Sequence, residues 1–172
     1  MARITVNETG SQPTLLLSTT VSNTAEIANG NITTSGSLNV GCLQDITITS
    51  STGIFSWVDF CSIDTNKVTT PADNEISTNI VIDDVKYFGA NVIAGGTAAN
   101  IGINGLSQNK IEVQFKLIWN DANANGNVAN AYFTSGKGYI SSLAPTVSPD
   151  APVWVSPMTI AVDGTMFSGV NP

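Results

Sequence analysis

The sequence predicts a mainly β protein, an antiparallel β-barrel or sandwich with one short flanking α-helix over about 97–108. Three observations predict it. Ser, Thr and Asn together make up about a third of the 172 residues, and 15 Gly accompany them; Thr suits strands, Asn and Gly supply turns, and all four are weak helix formers. Apolar and polar residues alternate with period two in segment after segment. About eight such segments are separated by Gly, Asn and Pro, the punctuation of an all-β domain. The length and the 42% hydrophobic content suit one domain, 1–172, around one core.

Taken in order, Arg3–Val6 and Thr14–Ser18 are short strand candidates. Thr20–Ser37 is an extended loop. Leu43–Thr49 alternates and runs into Ile54–Phe60 after a Ser50-Ser-Thr-Gly53 turn. Asp64–Glu75 is a loop between strands, and Ile76–Ile82 is a strand with Ile76, Thr78, Ile80 and Ile82 towards the core. Val85–Phe88 is a further short strand. The helix at 97–108 starts on Thr97 as N-cap and carries Ala98, Ile101 and Gly105 at helical spacing. Ile111–Trp119 is the clearest strand, with Ile111, Val113, Phe115, Leu117 and Trp119 opposed to Glu112, Gln114 and Lys116. Asn120–Asn130 is a loop, Tyr132–Thr134 and Gly138–Ser142 are short strands, and Pro152–Gly164 is a long strand interrupted at Pro157, whose missing N–H marks a bulge or an edge.

The charge inventory excludes whole classes of chemistry. No histidine is present, which removes Ser-His-Asp and Cys-His catalysis, His-bearing zinc sites and histidine pH switches. Ser56, Ser62 and Ser135 have no Ser-x-x-Lys partner, and Gly95-Gly96 and Gly102–Gly105 lack the Lys-Ser/Thr ending of a phosphate loop. Asp73, Glu75, Asp83 and Asp84 read either as paired carboxylates for glycoside hydrolysis or as a solvated turn; Asp83 and Asp84, adjacent at a strand end, face opposite ways, which favours the turn. The reading is a non-enzyme with no cofactor. A net charge of −7 disfavours tight binding to nucleic-acid phosphates.

Asp121, Asn123 and Asn125 occupy the first ligand positions of an EF-hand-type loop with Gly126 at its turn, but Tyr132 stands where the bidentate Glu belongs; a weak calcium site and an Asn-rich hairpin tip are the two readings. Cys42 and Cys61 read as free thiols in a reducing compartment or as a bridge. The opening residues lack a secretory h-region and no apolar run reaches the roughly 20 residues that span a bilayer, so the expected site of synthesis is a cytoplasm, with no membrane contact. Phe55, Trp57, Trp119 and Trp154 could line a sugar platform, but the three tryptophans lie on apolar strands, where core packing is the commoner role. Only 11% of residues are charged, against roughly 25% in an average domain; such depletion resembles the buried part of a protein interface.

Three segments carry a family resemblance: Leu38–Ser50, with its small residues and Asp-Ile-Thr; the loop Asp64–Glu75 followed by Ile76–Asp83; and the closing pair Gly136–Ser141 and Trp154–Gly164, which ends in Thr-Ile-Ala-Val-Asp-Gly. Over most of 38–164 the chain resembles the tail tube (major tail) proteins of tailed bacteriophages. The resemblance implies a β-barrel or sandwich with a flanking helix, six copies in a ring whose inner strands join, and rings stacked into a tube. It implies a virion protein of the tail, assembled in the bacterial cytoplasm, with sheath, tail-terminator and baseplate proteins as partners and phage DNA passing without specific binding. The hairpin loop around 64–75 (Asp64, Lys67, Pro71, Asp73, Glu75) is then the contact to the next ring. Asp73, Glu75, Asp83, Asp84 and Glu112 are the acidic candidates for the lumen. A capsid-decorating virion domain and a carbohydrate-binding or adhesin sandwich remain the alternatives.

Overall fold

The computed structural model describes residues 12–20, 23–32, 36–40, 43–58, 65–89, 97–121, 131–150 and 153–170. The expected strand Arg3–Val6, both cysteines, Asp64, Asn123 and Asn125 lie outside them. Among the described residues eight strands run in chain order: β1 (Gln12–Ser18), β2 (Leu38–Val40), β3 (Leu43–Trp57), β4 (Asn66–Val81), β5 (Val113–Asp121), β6 (Tyr132–Leu143), β7 (Val155–Val162) and β8 (Phe167–Val170). Three helices join them: α1 (Thr24–Ala28), α2 (Asp84–Phe88) and α3 (Ala98–Gln108).

All pairings are antiparallel, in the order β2-β1-β5-β6-β7-β4-β3, with β8 added on β6. The sheet does not close, so of the two predicted architectures the sandwich-like one is realised. The long strand β6 is shared by two half-sheets. Its first half lies between β5 and β8, and from Gly138 onward it pairs with β7. A Cβ at Gly138 would overlap the Ala161 carbonyl, so only glycine lets the two strands approach where β6 changes partners.

Alternation explains the core. Leu15 and Leu17 of β1, Ile76 and Ile80 of β4, Val113, Phe115 and Leu117 of β5, and Met158 and Ile160 of β7 meet side chains of α2 and α3 in one buried cluster. The opposite face of β1-β5-β6 is buried too. There Leu16, Lys116 and Ser135 form one row across the three strands, and α1 lies over it. Ser135 Oγ donates to the Ile27 carbonyl (2.5 Å) and Lys116 Nζ to the Gly30 carbonyl (2.6 Å).

Several expectations are corrected. Val85–Phe88 is helical, because the Asp83 carboxylate accepts from the N–H groups of Val85 and Lys86 and so nucleates a turn. The loop 20–37 contains α1, whose N-cap Asn23 accepts from the Ala25 N–H. The loop 64–75 is strand from Asn66, and the Ser50–Gly53 turn is absorbed into β3, because the Thr-rich halves pair with each other from Trp57↔Asn66 to Ser50↔Asn74. Tyr132–Thr134 and Gly138–Ser142 are one strand. The interruption at Pro157 is absent as well: it sits inside β7 opposite Asn79, whose N–H is turned to β3, so this pair does not draw on the donor that proline lacks. Helix 97–108 is where the spacing placed it, although Thr97 makes no side-chain cap bond. Trp119 packs against the core, but Trp57 and Trp154 are 41% and 47% exposed. Among the described residues no helix is long and apolar enough to cross a membrane.

Candidate assembly surfaces

The half-sheet β6-β7-β4-β3 buries one face and presents the other. On β4, Asn74, Ile76, Thr78 and Ile80 point inward, so Glu75, Ser77, Asn79 and Val81 point out. Register sets the neighbours: Asp45–Asn79–Pro157, Thr47–Ser77–Thr159 and Thr49–Glu75–Ala161–Tyr139 form three rows across the strands. Ser77 and Thr159 share a hydroxyl hydrogen bond (3.3 Å), and Ser141 Oγ donates to the Thr159 carbonyl. These rows hold hydroxyls, amides and small apolar groups, two carboxylates (Asp45 and Glu75) and no cation.

Among the described residues, two flanks of this half-sheet are open. On one side, β3 pairs there with β4 alone. Asn79 directs its N–H to β3 while Ile82 directs its N–H to the carbonyl of Trp154 beside β7, so odd residues of β4 face β3. By antiparallel alternation, Ile46, Ile48, Ser50 and Thr52 turn their backbone groups to the free edge. On the other side, β5 ends its pairing at Val113↔Gly138, and among the described residues no strand covers that edge of Tyr139–Leu143.

From Ser51 to Trp57, β3 and its partner residues on β4 leave the core as a two-stranded arm, roughly 20 Å long at about 3.4 Å per residue. Ser51 Oγ donates to the Asp73 carbonyl across it (2.8 Å). Phe55 and Trp57 stack on one face, ring centroids 5.9 Å apart, with Val68 paired to Phe55; Ile54 and Val58 are exposed beside them. Two-stranded ribbons are marginal in water, and long uncharged edges invite pairing with another chain.

The sequence-derived residues divide among these surfaces. Lys67, Pro71 and Asp73 lie on the arm and are exposed, and Pro71 falls at the register shift between Thr52↔Ala72 and Ile54↔Thr69. Glu75 lies on the outward rows. Asp83 and Asp84 are occupied at the start of α2, where each accepts from the Val85 N–H. Glu112 pairs with Lys137 (3.3 Å), which also binds Asp163 (3.0 Å); both carboxylates raise the lysine pKa. Of the calcium candidates, only the backbone of Asp121 is described, paired with Gln12 at the end of β5. Among the described residues no group of three or more Cys, Asp or Glu is placed to hold a metal ion. Sequence reasoning missed Asp45 as a surface feature, and it considered surface positions only as a sugar platform for Phe55 and Trp57. The signal for the last two was present: a charge-free run from Thr49 to Val58 next to a Thr-rich partner strand.

No protein-family model and no curated protein matches the chain. Solved structures do. The SPP1 tail tube matches with a TM-score of 0.55 at 12% identity, over 96% of this chain and 80% of that one. The tail of an empty gene transfer agent particle, refined with C6 symmetry, gives 0.53 at 12% identity over 88% and 92%. A chain of the sixfold-symmetrised anti-feeding prophage baseplate gives 0.53 at 5% identity over 97% of both. The chain has the fold of these tail and baseplate structures.

Proposed function

We propose that this chain is a structural, non-enzymatic tail protein whose copies form six-membered rings stacked as a tube around the path of a phage genome. One observation carries the reading. The half-sheet β6-β7-β4-β3 has an even number of alternating strands and open edges on both flanks. Under rotation about a ring axis, β3 of one copy meets β6 of the next in antiparallel sense, so a heterologous contact continues the sheet and closes. The sixfold symmetry of two structures sharing the fold supports this arrangement.

In such a ring the outward rows line the bore. Hydroxyls and amides there carry no positive charge to displace the duplex's counterions, and Asp45 and Glu75, repeated around each ring, repel phosphates. Asp73 extends the acidic line onto the arm, where Lys67, Pro71, Phe55 and Trp57 are placed to reach a neighbouring ring. Asp83 and Asp84 are held at the start of α2 and Glu112 is neutralised by Lys137, so the bore reading rests on Glu75 and on Asp45, whose bonds to the neutral Asn79 leave its charge uncompensated. Sheath, tail-terminator and baseplate proteins are the partners at the outside and the ends, and the setting is the virion tail, assembled in the bacterial cytoplasm.

The test is electron microscopy of the purified chain beside Ser50→Pro. Ser50 is exposed and turns its N–H to the free edge, so proline there leaves the β3–β4 ladder intact and removes an edge donor. Wild type forms rings and tubes; the variant stays a folded monomer. Wild-type particles that remain single at high concentration defeat the proposal, and glycan binding by such particles favours a sugar-binding sandwich.

A further inference from the structure

We infer that Asp45 and Asn79 form a register stop that decides where a neighbouring copy starts to pair along β3. The inference rests on the ring reading and adds the device that makes ring closure specific. Leu43 pairs with Ile80 and Asp45 with Asn79, so one extra residue, Gln44, is bulged out of β3. The bulge is tied down from two sides. The Asp45 carboxylate accepts the backbone N–H of Asn79 (2.9 Å) and its side-chain amide (2.9 and 3.1 Å). The Asp45 carbonyl accepts from Thr78 Oγ1 (2.5 Å). A side chain thus takes the donor that a regular ladder would give to a β3 carbonyl.

The second irregularity of β3 falls between Thr52 and Ile54. Between the two lies an unbroken run, Asp45–Thr52, the longest regular part of the open edge. The complementary flank, Tyr139–Leu143 of β6, is shorter than that run. Nothing in a uniform edge stops a short strand from sliding along a longer one by two residues, since such a slip keeps every side chain on its own face. Sliding changes the stagger between copies, and a closed barrel tolerates only one stagger. A wrong stagger turns a ring into an open helix. The bent backbone at Gln44 ends pairing at a fixed place, and the Asp45–Asn79 bonds hold that bend.

The experiment compares wild type, Asp45→Ala, Asn79→Asp and the exchange Asp45→Asn with Asn79→Asp, each checked for folding by circular dichroism and for tube diameter by electron microscopy. Asp45→Ala loses all carboxylate bonds, and Asn79→Asp sets two carboxylates against each other. Both are expected to fold and to give at least about tenfold fewer tubes of uniform diameter, with open or mixed-diameter filaments in their place. The exchange keeps an acceptor for the residue-79 N–H and an amide–carboxylate pair, and it restores uniform tubes even if a single variant folds poorly. Wild-type yield and diameter in Asp45→Ala overturn the register stop while leaving the ring reading intact, as does failure of the exchange to rescue. Wild type that forms no tubes overturns both.

Discussion

Gly89 and Gly102 stand back to back. A Cβ on Gly102 would overlap the backbone N of Gly89, and a Cβ on Gly89 would meet the carbonyl oxygen of Asn100. Both have positive φ, +79° and +73°, and Gly102 kinks α3 where it crosses the end of α2. This contact brings Tyr87, Ile101 and Ile103 into the core together. Gly102→Ala forces alanine into a backbone region (φ 73°, ψ 166°) that is essentially reserved for glycine, which costs about 1–3 kcal/mol, and adds a steric clash. The expected loss is at least about 2 kcal/mol, or roughly 4–8 °C in Tm for a chain of this size. A melting point unchanged within about 1 °C would show that the two helices separate without cost.

Lys116 predicts an alkaline stability gain. Its side chain is 3% exposed beneath α1, with its Nζ 5.4 Å from the Phe133 ring centroid, and burial lowers its pKa from the ordinary lysine value of 10.5. Between the lowered value and 10.5, the folded protein has released a proton that the unfolded chain still holds. Stability therefore rises with pH across that window. Tyr87, raised by burial, acts oppositely near its own value of 10.0, so the measurement is a difference: urea unfolding of wild type minus Lys116→Met, followed from neutral pH to 10.5. The difference should move in favour of wild type as pH rises, and a flat curve contradicts the charged burial.

Asp83 separates capping from bore charge. Its carboxylate holds the first turn of α2 through the N–H groups of Val85 and Lys86. Asp83→Ala should cost about 1 kcal/mol, the usual worth of an N-cap, and leave tube formation and infectivity at wild-type levels at all salt concentrations. A salt-dependent infectivity defect without a stability change would return Asp83 to the genome path.

What the sequence disclosed follows from where its physics is local. Ile111–Trp119 announces a strand because apolar and polar residues alternate, and the structure shifts its start by only two residues although it buries both faces. The helix at 97–108 survives its internal glycines because Gly102 is needed by a contact with Gly89, which no local rule reveals. The hairpin arm was hidden for the opposite reason. Its residues are exposed on both faces, so period-two burial is absent, and Gly53 and Pro71 read as turn residues although cross-strand pairing carries both through. Val85–Phe88 alternates like a strand, and only the two bonds accepted by Asp83 decide for helix. Asp45 stood out only within the Asp-Ile-Thr segment, without any sign of its role, because that role arises from a bulge paired with a residue 34 positions away.

The stacked pair on the arm predicts a split between folding and assembly. Phe55 and Trp57 touch each other and Val68 but no core residue, so Phe55→Ala with Trp57→Ala should change Tm by less than about 2 °C, as surface substitutions do. If the arm joins rings, the same variant yields single rings or short stacks, because exposed aromatic anchors carry a large share of interface energy. Sedimentation of assembled material against monomer gives the ratio directly. Wild-type tube length in the double variant would remove the aromatics from the contact.

The bore itself is tested by adding the charge it lacks. Ser77 sits at the centre of the outward rows, between Thr47 and Thr159, in rows that hold no cation. Ser77→Lys points a flexible ammonium away from the core, so the monomer folds and the edges that join copies are untouched. Repeated around every ring, the lysines turn a repelling wall into one that binds phosphate. Counterion release makes such binding fall steeply with salt. The expected result is tubes of normal diameter, infectivity reduced about tenfold or more at low ionic strength, and substantial recovery as salt is raised. Ser77→Gln, similar in length and neutral, should behave as wild type. Equal infectivity of the lysine and glutamine variants across the salt series would mean that this face does not meet the genome, and the outward rows would have to lie on the outside of the tube.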